Sequence, residues 1–287
     1  MTLTGREVAD LQARHGLRPS RALGQHFVVD PNTVRRIARL ARVGPGDRVV
    51  EIGAGFGSLT LALCETGAAV TAVEIDRHLL PALREVVEPA GASVVHGDAL
   101  TLDWAALLGP PPATPGASRG WILVANLPYN VATPLVADLL DQVPAIVRML
   151  VLVQREVGER LAAKVGDPSY GAVSVKVDYW ARAQLSGRVP ASVFVPEPAV
   201  ASVLVALERR PEPVVDPAQV APDELFALVR AGFAQRRKML RRALSGLVEA
   251  GDFVCAGVRP EARAEELDVA AWGALATCVQ RPRDQSA

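Results

Sequence analysis

The chain has 287 residues, half of them hydrophobic and 22% charged, with a formal net charge of zero at pH 7. That length accommodates one large domain and a smaller one, and the balance is that of a globular protein, not of a disordered chain. Zero net charge excludes a polycation, so any nucleic-acid surface has to come from segregated charge. No stretch reaches membrane-spanning length without charges or glycines, and the first ten residues hold no apolar core of signal-peptide length. Cys64, Cys255 and Cys278 are widely spaced and form no metal-ligand pattern. The chain is therefore expected to be cytoplasmic and reduced, with neither membrane nor metal.

Residues 1–23 form a basic N-terminal extension containing Arg6, Arg14, Arg18 and Arg21. Asp30-Pro31 predicts a helix start, with a capping carboxylate and proline at the first helical position. Val34, Ile37, Ala38 and Ala41 follow at helical spacing, while Arg35, Arg36, Arg39 and Arg42 share the other face, which reads as solvated. A strand within 47–52 then runs into Gly53-Ala54-Gly55-Phe56-Gly57 and a helix. Glycines at such a turn let the backbone approach a ligand above a helix N-terminus.

The second strand, 69–73, ends in Glu74, and 74 − 53 = 21 residues is the spacing at which an acid holds ribose hydroxyls. The third, 93–96, ends in Gly97-Asp98-Ala99. Three successive strand ends thus supply a glycine turn, a ribose acid and a further acid, the pattern of a nucleoside cofactor site. Serine stands at position 58, where the dinucleotide fingerprint is not met, and this favours S-adenosylmethionine over a nicotinamide cofactor.

A proline-rich loop, 109–119, precedes the apolar run 121–125, which enters Asn126-Leu127-Pro128-Tyr129-Asn130. These residue types suit a flat base with an exocyclic amine. The Asn126 side-chain oxygen and the Pro128 carbonyl can accept the amine hydrogens, and Tyr129 can stack on the ring. A helix is expected over 134–141, a strand over 148–153 and a helix over 154–161. Strands at 173–180 and 202–207 bring the count to about seven, and the stiff loop 193–198 presents Phe194.

The composition changes at 208–213, which places a boundary between a domain of residues 1–208 and a helical domain of residues 209–287. Helices are expected at 224–233 and 234–244. The second carries Arg236, Arg237, Lys238, Arg241 and Arg242, a density that suggests contact with RNA phosphates.

The combination resembles the bacterial ribosomal RNA small-subunit adenine N6,N6-dimethyltransferases, from about residue 18 to residue 247. The resemblance rests on Leu23-Gly24-Gln25-His26-Phe27, Glu51-Ile52-Gly53-Ala54-Gly55, Val73-Glu74-Ile75-Asp76, Gly97-Asp98-Ala99, Asn126-Leu127-Pro128-Tyr129-Asn130 and Phe233-Ala234-Gln235-Arg236-Arg237-Lys238. It implies an α/β fold, a Rossmann-like seven-stranded S-adenosylmethionine-dependent methyltransferase sheet with a small all-helical C-terminal domain. By position it implies that Gln25, His26, Val28, Gly53, Gly55, Glu74, Ile75, Asp98, Ala99 and Asn126 line the cofactor site. Asn126, Pro128 and Tyr129 would hold the target adenine, with Phe194 on its other face. The substrate implied is 16S RNA in the small ribosomal subunit, and the enzyme is expected to be a monomer.

Two positions depart from the family pattern. Asparagine usually stands where His26 is, and an aspartate-serine pair usually stands where this chain has Ala201-Ser202. Leu127 and Asn130 favour this family over the large-subunit adenine methyltransferases that confer antibiotic resistance. Intact Glu74, Asp98, Asn126 and Tyr129 argue against a non-catalytic assembly factor.

Overall fold

The computed structural model describes residues 2–20, 23–110, 120–129 and 131–280. Arg21, Asn130 and most of the proline-rich loop therefore lie outside the described residues. The chain divides into two compact units, residues 1–158 with 183–209, and residues 159–182 with 210–287. The expected contiguous domain of residues 1–208 differs from this, because 159–182 cluster with the C-terminal helices.

The chain begins with α1 (Gly5–His15), β1 (Phe27–Val28), α2 (Pro31–Ala41), β2 (Arg48–Ile52), α3 (Ser58–Cys64) and β3 (Ala69–Glu74). Next come α4 (Leu80–Val87), β4 (Ser93–His96), α5 (Trp104–Leu108), β5 (Trp121–Asn126), α6 (Ala132–Gln142) and β6 (Ile146–Gln154). Then follow α7 (Arg155–Ala162), α8 (Ala172–Trp180), β7 (Ala181–Val189), β8 (Phe194–Val195) and β9 (Ser202–Arg209). The last helices among the described residues are α9 (Pro222–Ala234), α10 (Leu240–Ala243), α11 (Ala250–Ala256) and α12 (Val269–Gln280).

In the first unit a seven-stranded sheet has the order β4-β3-β2-β5-β6-β9-β7. β4, β3, β2, β5 and β6 are parallel neighbours, and β9 runs antiparallel to β6. The central strands are apolar on both faces: Val49, Val50, Leu123, Val124, Val151 and Leu152 have no exposed surface. Strands buried on both sides read as near-continuous apolar runs, which is why 121–125 was legible. The order reverses between β2 and β5, and an open sheet leaves a ligand crevice beyond the strand ends at such a reversal.

α2 forms as its sequence dictates. The Asp30 side chain accepts the Thr33 N–H at 2.9 Å, Pro31 opens the helix, and Val34, Ile37, Ala38 and Ala41 are all buried. α1 lies within the expected basic extension and was not anticipated. Thr4 and Glu7 cap it reciprocally, and Val8 and Leu11 pack with Phe56, Leu79 and Ala82.

Among the described residues the main sheet has the expected seven strands, with β1 and β8 pairing apart from it, but 173–180 is not one of them. Alternating valines there read as a strand, yet the segment is α8, and the seventh strand is β7. Tertiary packing overrides β propensity at this point. Ser174 accepts the Gly171 N–H at the helix start and donates to the Arg160 carbonyl, while Val175 and Tyr179 sit one turn apart in the helical core.

The second unit is built around Tyr179, Phe226, Leu240, Phe253 and Trp272. Residues 235–239 are not helical as expected: α9 ends at Ala234, and Met239 bridges to Arg263 before the short α10. A disulfide joins Cys255 of α11 to Cys278 of α12. It corrects the reading of all cysteines as reduced, since the two helices bring these Cα atoms to 6.1 Å, a proximity that a separation of 23 residues does not reveal.

Candidate active site

The site lies in the first unit, at the carboxyl ends of β2, β3, β4 and β5. Gly53 and Gly55 turn the chain out of β2 with φ of 73° and 58°, values at which other residues are strained. At Gly55 there is a second requirement. A Cβ there would lie 2.7 Å from Cδ1 of the Phe27 ring, so the absent side chain makes room for the segment that crosses the turn.

Glu74 ends β3 and is almost wholly buried. Its two carboxylate oxygens accept the Gly55 N–H at 2.8 Å and the Asp76 N–H at 2.9 Å. Burial pushes its pKa above the ordinary value, against the pull of those two backbone donors. An ionised carboxylate offers about four lone-pair sites, so acceptor capacity remains for two hydroxyls. Beneath the turn, Glu51 is buried and accepts the Thr60 hydroxyl at 2.5 Å. Burial is the main cause of its pKa rising to about 8, and the nearby Glu74 charge adds to the effect.

Two adjoining hollows share Leu23, Gly53, Ile75 and Pro128. One is completed by Gln25, His26, Gly55, Glu74, Asn126 and Tyr129. The other is completed by Asp98, Ala99, Leu100, Val131 and Leu135. Asp98 accepts the Leu100 N–H on one oxygen at 2.9 Å, and its other oxygen has no partner among the described residues. Leu23 and Leu100 were missed from sequence. Leu100 carries a signal like that of Ile75, a large apolar side chain left about half exposed just after a strand-end acid.

Gln25 lines the first hollow, but its amide is spent: the oxygen accepts the Ser20 N–H and the nitrogen donates to Asp76. Its place is to hold the crossing segment. The His26 ring stacks on Tyr129 at 5.2 Å and 24°. His26 Nδ1 lies 2.7 Å from the Pro196 carbonyl, which can only accept, so Nδ1 carries the proton. Val28 does not line the site. It is 6% exposed, pairs with Phe194 and belongs to the sheet core.

Asn126 ends β5, and its Nδ2 donates to the His26 carbonyl at 2.8 Å. Tyr129 is half-buried, its hydroxyl 2.9 Å from that of Ser202, and burial raises its pKa. Two expectations fail here. The Pro128 carbonyl already accepts the Val131 and Ala132 N–H groups at 3.2 and 3.1 Å, because it starts the first turn of α6. Phe194 does not present its ring. It is 2% exposed and packed in the core, because β8 pairs with β1.

In the second unit the expected RNA cations divide into two groups. Arg236 is tied to Glu265 at 2.5 Å and to the Pro168 carbonyl at 2.8 Å, and Arg241 to Glu261 at 3.2 Å. Arg237, Lys238 and Arg242 are exposed, with no ion-pair partner among the described residues. No cluster of metal-ligating side chains occurs among the described residues, and none of their helices is long and apolar enough to cross a membrane.

A sheet of this order, with a glycine turn and acids at successive strand ends, defines a Rossmann-like methyltransferase domain. Residues 17–280 match the ribosomal RNA adenine dimethylase family, and the chain belongs to it. The chain is 47% identical to the ribosomal RNA small subunit methyltransferase A of Streptomyces griseus, over 94% of this chain and 92% of that protein. It is 46% identical to the protein of the same name from Thermobifida fusca, over 96% and 95%. Among solved structures it is similar to the 23S rRNA methyltransferase ErmE, with a TM-score of 0.66 and 25% identity over 88% of this chain and 99% of that one. A dimethyladenosine transferase from Plasmodium falciparum shares the fold, with a TM-score of 0.69 and 23% identity over 87% and 96%.

Proposed function

We propose that this chain is the cytoplasmic enzyme that dimethylates N6 of two adjacent adenines near the 3′ end of 16S RNA, acting as a monomer on the small ribosomal subunit. The observation that carries the reading is the Asn126 amide, pinned by the His26 carbonyl beside Tyr129 at the mouth of the Glu74 hollow. The small-subunit relatives are 46–47% identical, against 25% for the large-subunit enzyme, and this favours the small-subunit substrate.

The residues present fit S-adenosylmethionine. Glu74 retains acceptor sites for ribose hydroxyls, Asp98 offers for the adenine end an oxygen with no partner among the described residues, and Ile75, Ala99 and Leu100 provide apolar walls. Bound there, that cofactor supplies a methyl group on a sulfonium, which is open to in-line attack. The chain's part is alignment. Asn126 Oδ1 accepts one hydrogen of the target amine. The Leu127 carbonyl, which accepts no hydrogen bond from a described residue, takes the second in place of the occupied Pro128 carbonyl. Tyr129 stacks on the base with the face that His26 leaves open. These acceptors hold the amine lone pair out of conjugation, so no dedicated base is required.

The test is transfer of tritiated methyl groups to unmodified small and large ribosomal subunits, with mapping of the modified base. Incorporation confined to adjacent small-subunit adenines is expected. Incorporation into large subunits alone would transfer the assignment to the resistance-type enzymes.

A further inference from the structure

The basic face of α2 gathers more charge than its sequence displays. The helix contains no acid and carries Arg35, Arg36 and Arg39, with Arg42 as its cap. Arg36 Nη1 donates to the Arg188 carbonyl at the end of β7 at 2.9 Å. Arg148 Nη2, near the start of β6, donates to the Arg42 carbonyl at 3.3 Å. Arginines from three elements are thus brought together. The acids beside them are Glu65, paired with Arg35 at 3.3 Å, and Glu208, which faces Arg148 across the β6–β9 ladder. The side chains of Arg39, Arg42 and Arg188 are exposed and have no partner among the described residues.

Like charges one helical turn apart oppose folding, and a chain of zero net charge does not need such crowding for solubility. An anion relieves it, and planar guanidinium groups match phosphate oxygens. We propose that this face of the sheet domain binds the phosphate backbone of the substrate RNA, as a contact additional to the cations of the helical unit. The inference rests on the RNA-modifying reading above. α2 starts five residues after His26, and Arg39 lies eight residues beyond Pro31, about 12 Å along the axis. That length spans roughly three or four phosphates of one strand of a duplex.

The test uses the full-length protein with Arg39→Ala and Arg188→Ala combined. Both side chains are exposed, and Arg188→Ala keeps the carbonyl that Arg36 uses. Dissociation constants for unmodified small ribosomal subunits are measured against potassium chloride concentration. Each lost phosphate contact should remove about 0.7–0.9 from the log–log salt slope, so the pair should lower it by roughly 1.4–1.8 and weaken binding at least ~5-fold at 0.1 M salt. Arg39→Lys with Arg188→Lys should restore most of the slope, and the melting temperature should not move. Wild-type binding with an unchanged slope in the alanine pair overturns this contact and leaves the proposed function standing. A wild-type protein that neither binds nor methylates small subunits overturns both.

Discussion

Asn126 Nδ2 and the His26 carbonyl oxygen, 2.8 Å apart, settle which way the Asn126 amide faces. A carbonyl can only accept, so the amide nitrogen must lie on that side and Oδ1 is the acceptor turned away from it, with no partner among the described residues. The crossing segment thereby sets the polarity of the proposed base site, although His26 stands 100 residues earlier in the chain. Asn126→Ala should lower kcat by about 10²–10³-fold, the scale of losing one preorganised polar group at a reacting centre. Subunit binding should stay near wild type in a sedimentation assay. Methyl transfer surviving at wild-type rate would remove Asn126 from the proposed chemistry.

Tyr129 is held by its hydroxyl on Ser202, a serine with no exposed surface. Tyr129→Phe keeps the stacking ring and loses only that tether, so a drop in kcat of up to about tenfold is expected, the size of one net hydrogen bond. Tyr129→Ala also removes the platform, worth roughly 1–3 kcal/mol per stacked base. Steady-state kinetics on the two variants separate the effects. Equal losses would show that the tether, not the ring, carries the contribution.

Glu74 is the acid on which the cofactor reading depends. Glu74→Gln places an amide nitrogen opposite either the Gly55 or the Asp76 N–H, leaving donor against donor in a buried setting. S-adenosylmethionine affinity should fall at least ~10-fold, from the cost of an unsatisfied buried group. Because burial raises the wild-type pKa, affinity should also decline at a higher pH on acidification than for an ordinary glutamate. Titration calorimetry at several pH values checks both points.

Among the cations of the helical unit, internal pairing predicts unequal contributions. Neutralising Arg237 and Lys238, which are exposed and have no ion-pair partner among the described residues, should lower the salt slope of subunit binding by about 1.4–1.8. Neutralising Arg236 and Arg241 should cost less RNA affinity and more stability, since Glu265 and Glu261 lose their partners. Binding isotherms and melting curves on the two double variants discriminate. An equal salt effect would mean that the ion pairs open on RNA.

Much of the site was legible because its chemistry sits at strand ends, where local sequence fixes position. Gly53, Glu74, Asp98 and Asn126 each follow an apolar run, and parallel pairing in register brings those ends together. What was illegible depends on contacts distant in the chain. Phe194 looks like a presented aromatic until β8 pairs with β1, and Pro128 looks like a free acceptor until α6 begins on it. α8 carries a period-two valine pattern and is helical because its partners are helices. α1 is a miss of another kind: the reading of residues 1–23 as a basic extension passed over the Thr4-x-x-Glu7 capping box, a local helix-start signal.

Glu51 gives the last prediction, and its sign follows from the direction of its shift. In the unfolded chain a glutamate ionises near pH 4.5, while in the fold Glu51 stays protonated up to about 8. Between those values the folded protein binds the extra proton, so stability falls as pH rises across the window, and the full cost is present above it. Glu51→Gln keeps an oxygen to accept the Thr60 hydroxyl and cannot ionise. The variant should match wild type near pH 4 and exceed it at pH 8 by ~2–4 kcal/mol, a melting shift on the order of 5–10 °C. Calorimetric melts from pH 4 to pH 8.5 provide the check. Parallel wild-type and variant curves across that range would show that Glu51 is ionised in the fold, with water or a counter-ion reaching it beneath the glycine turn.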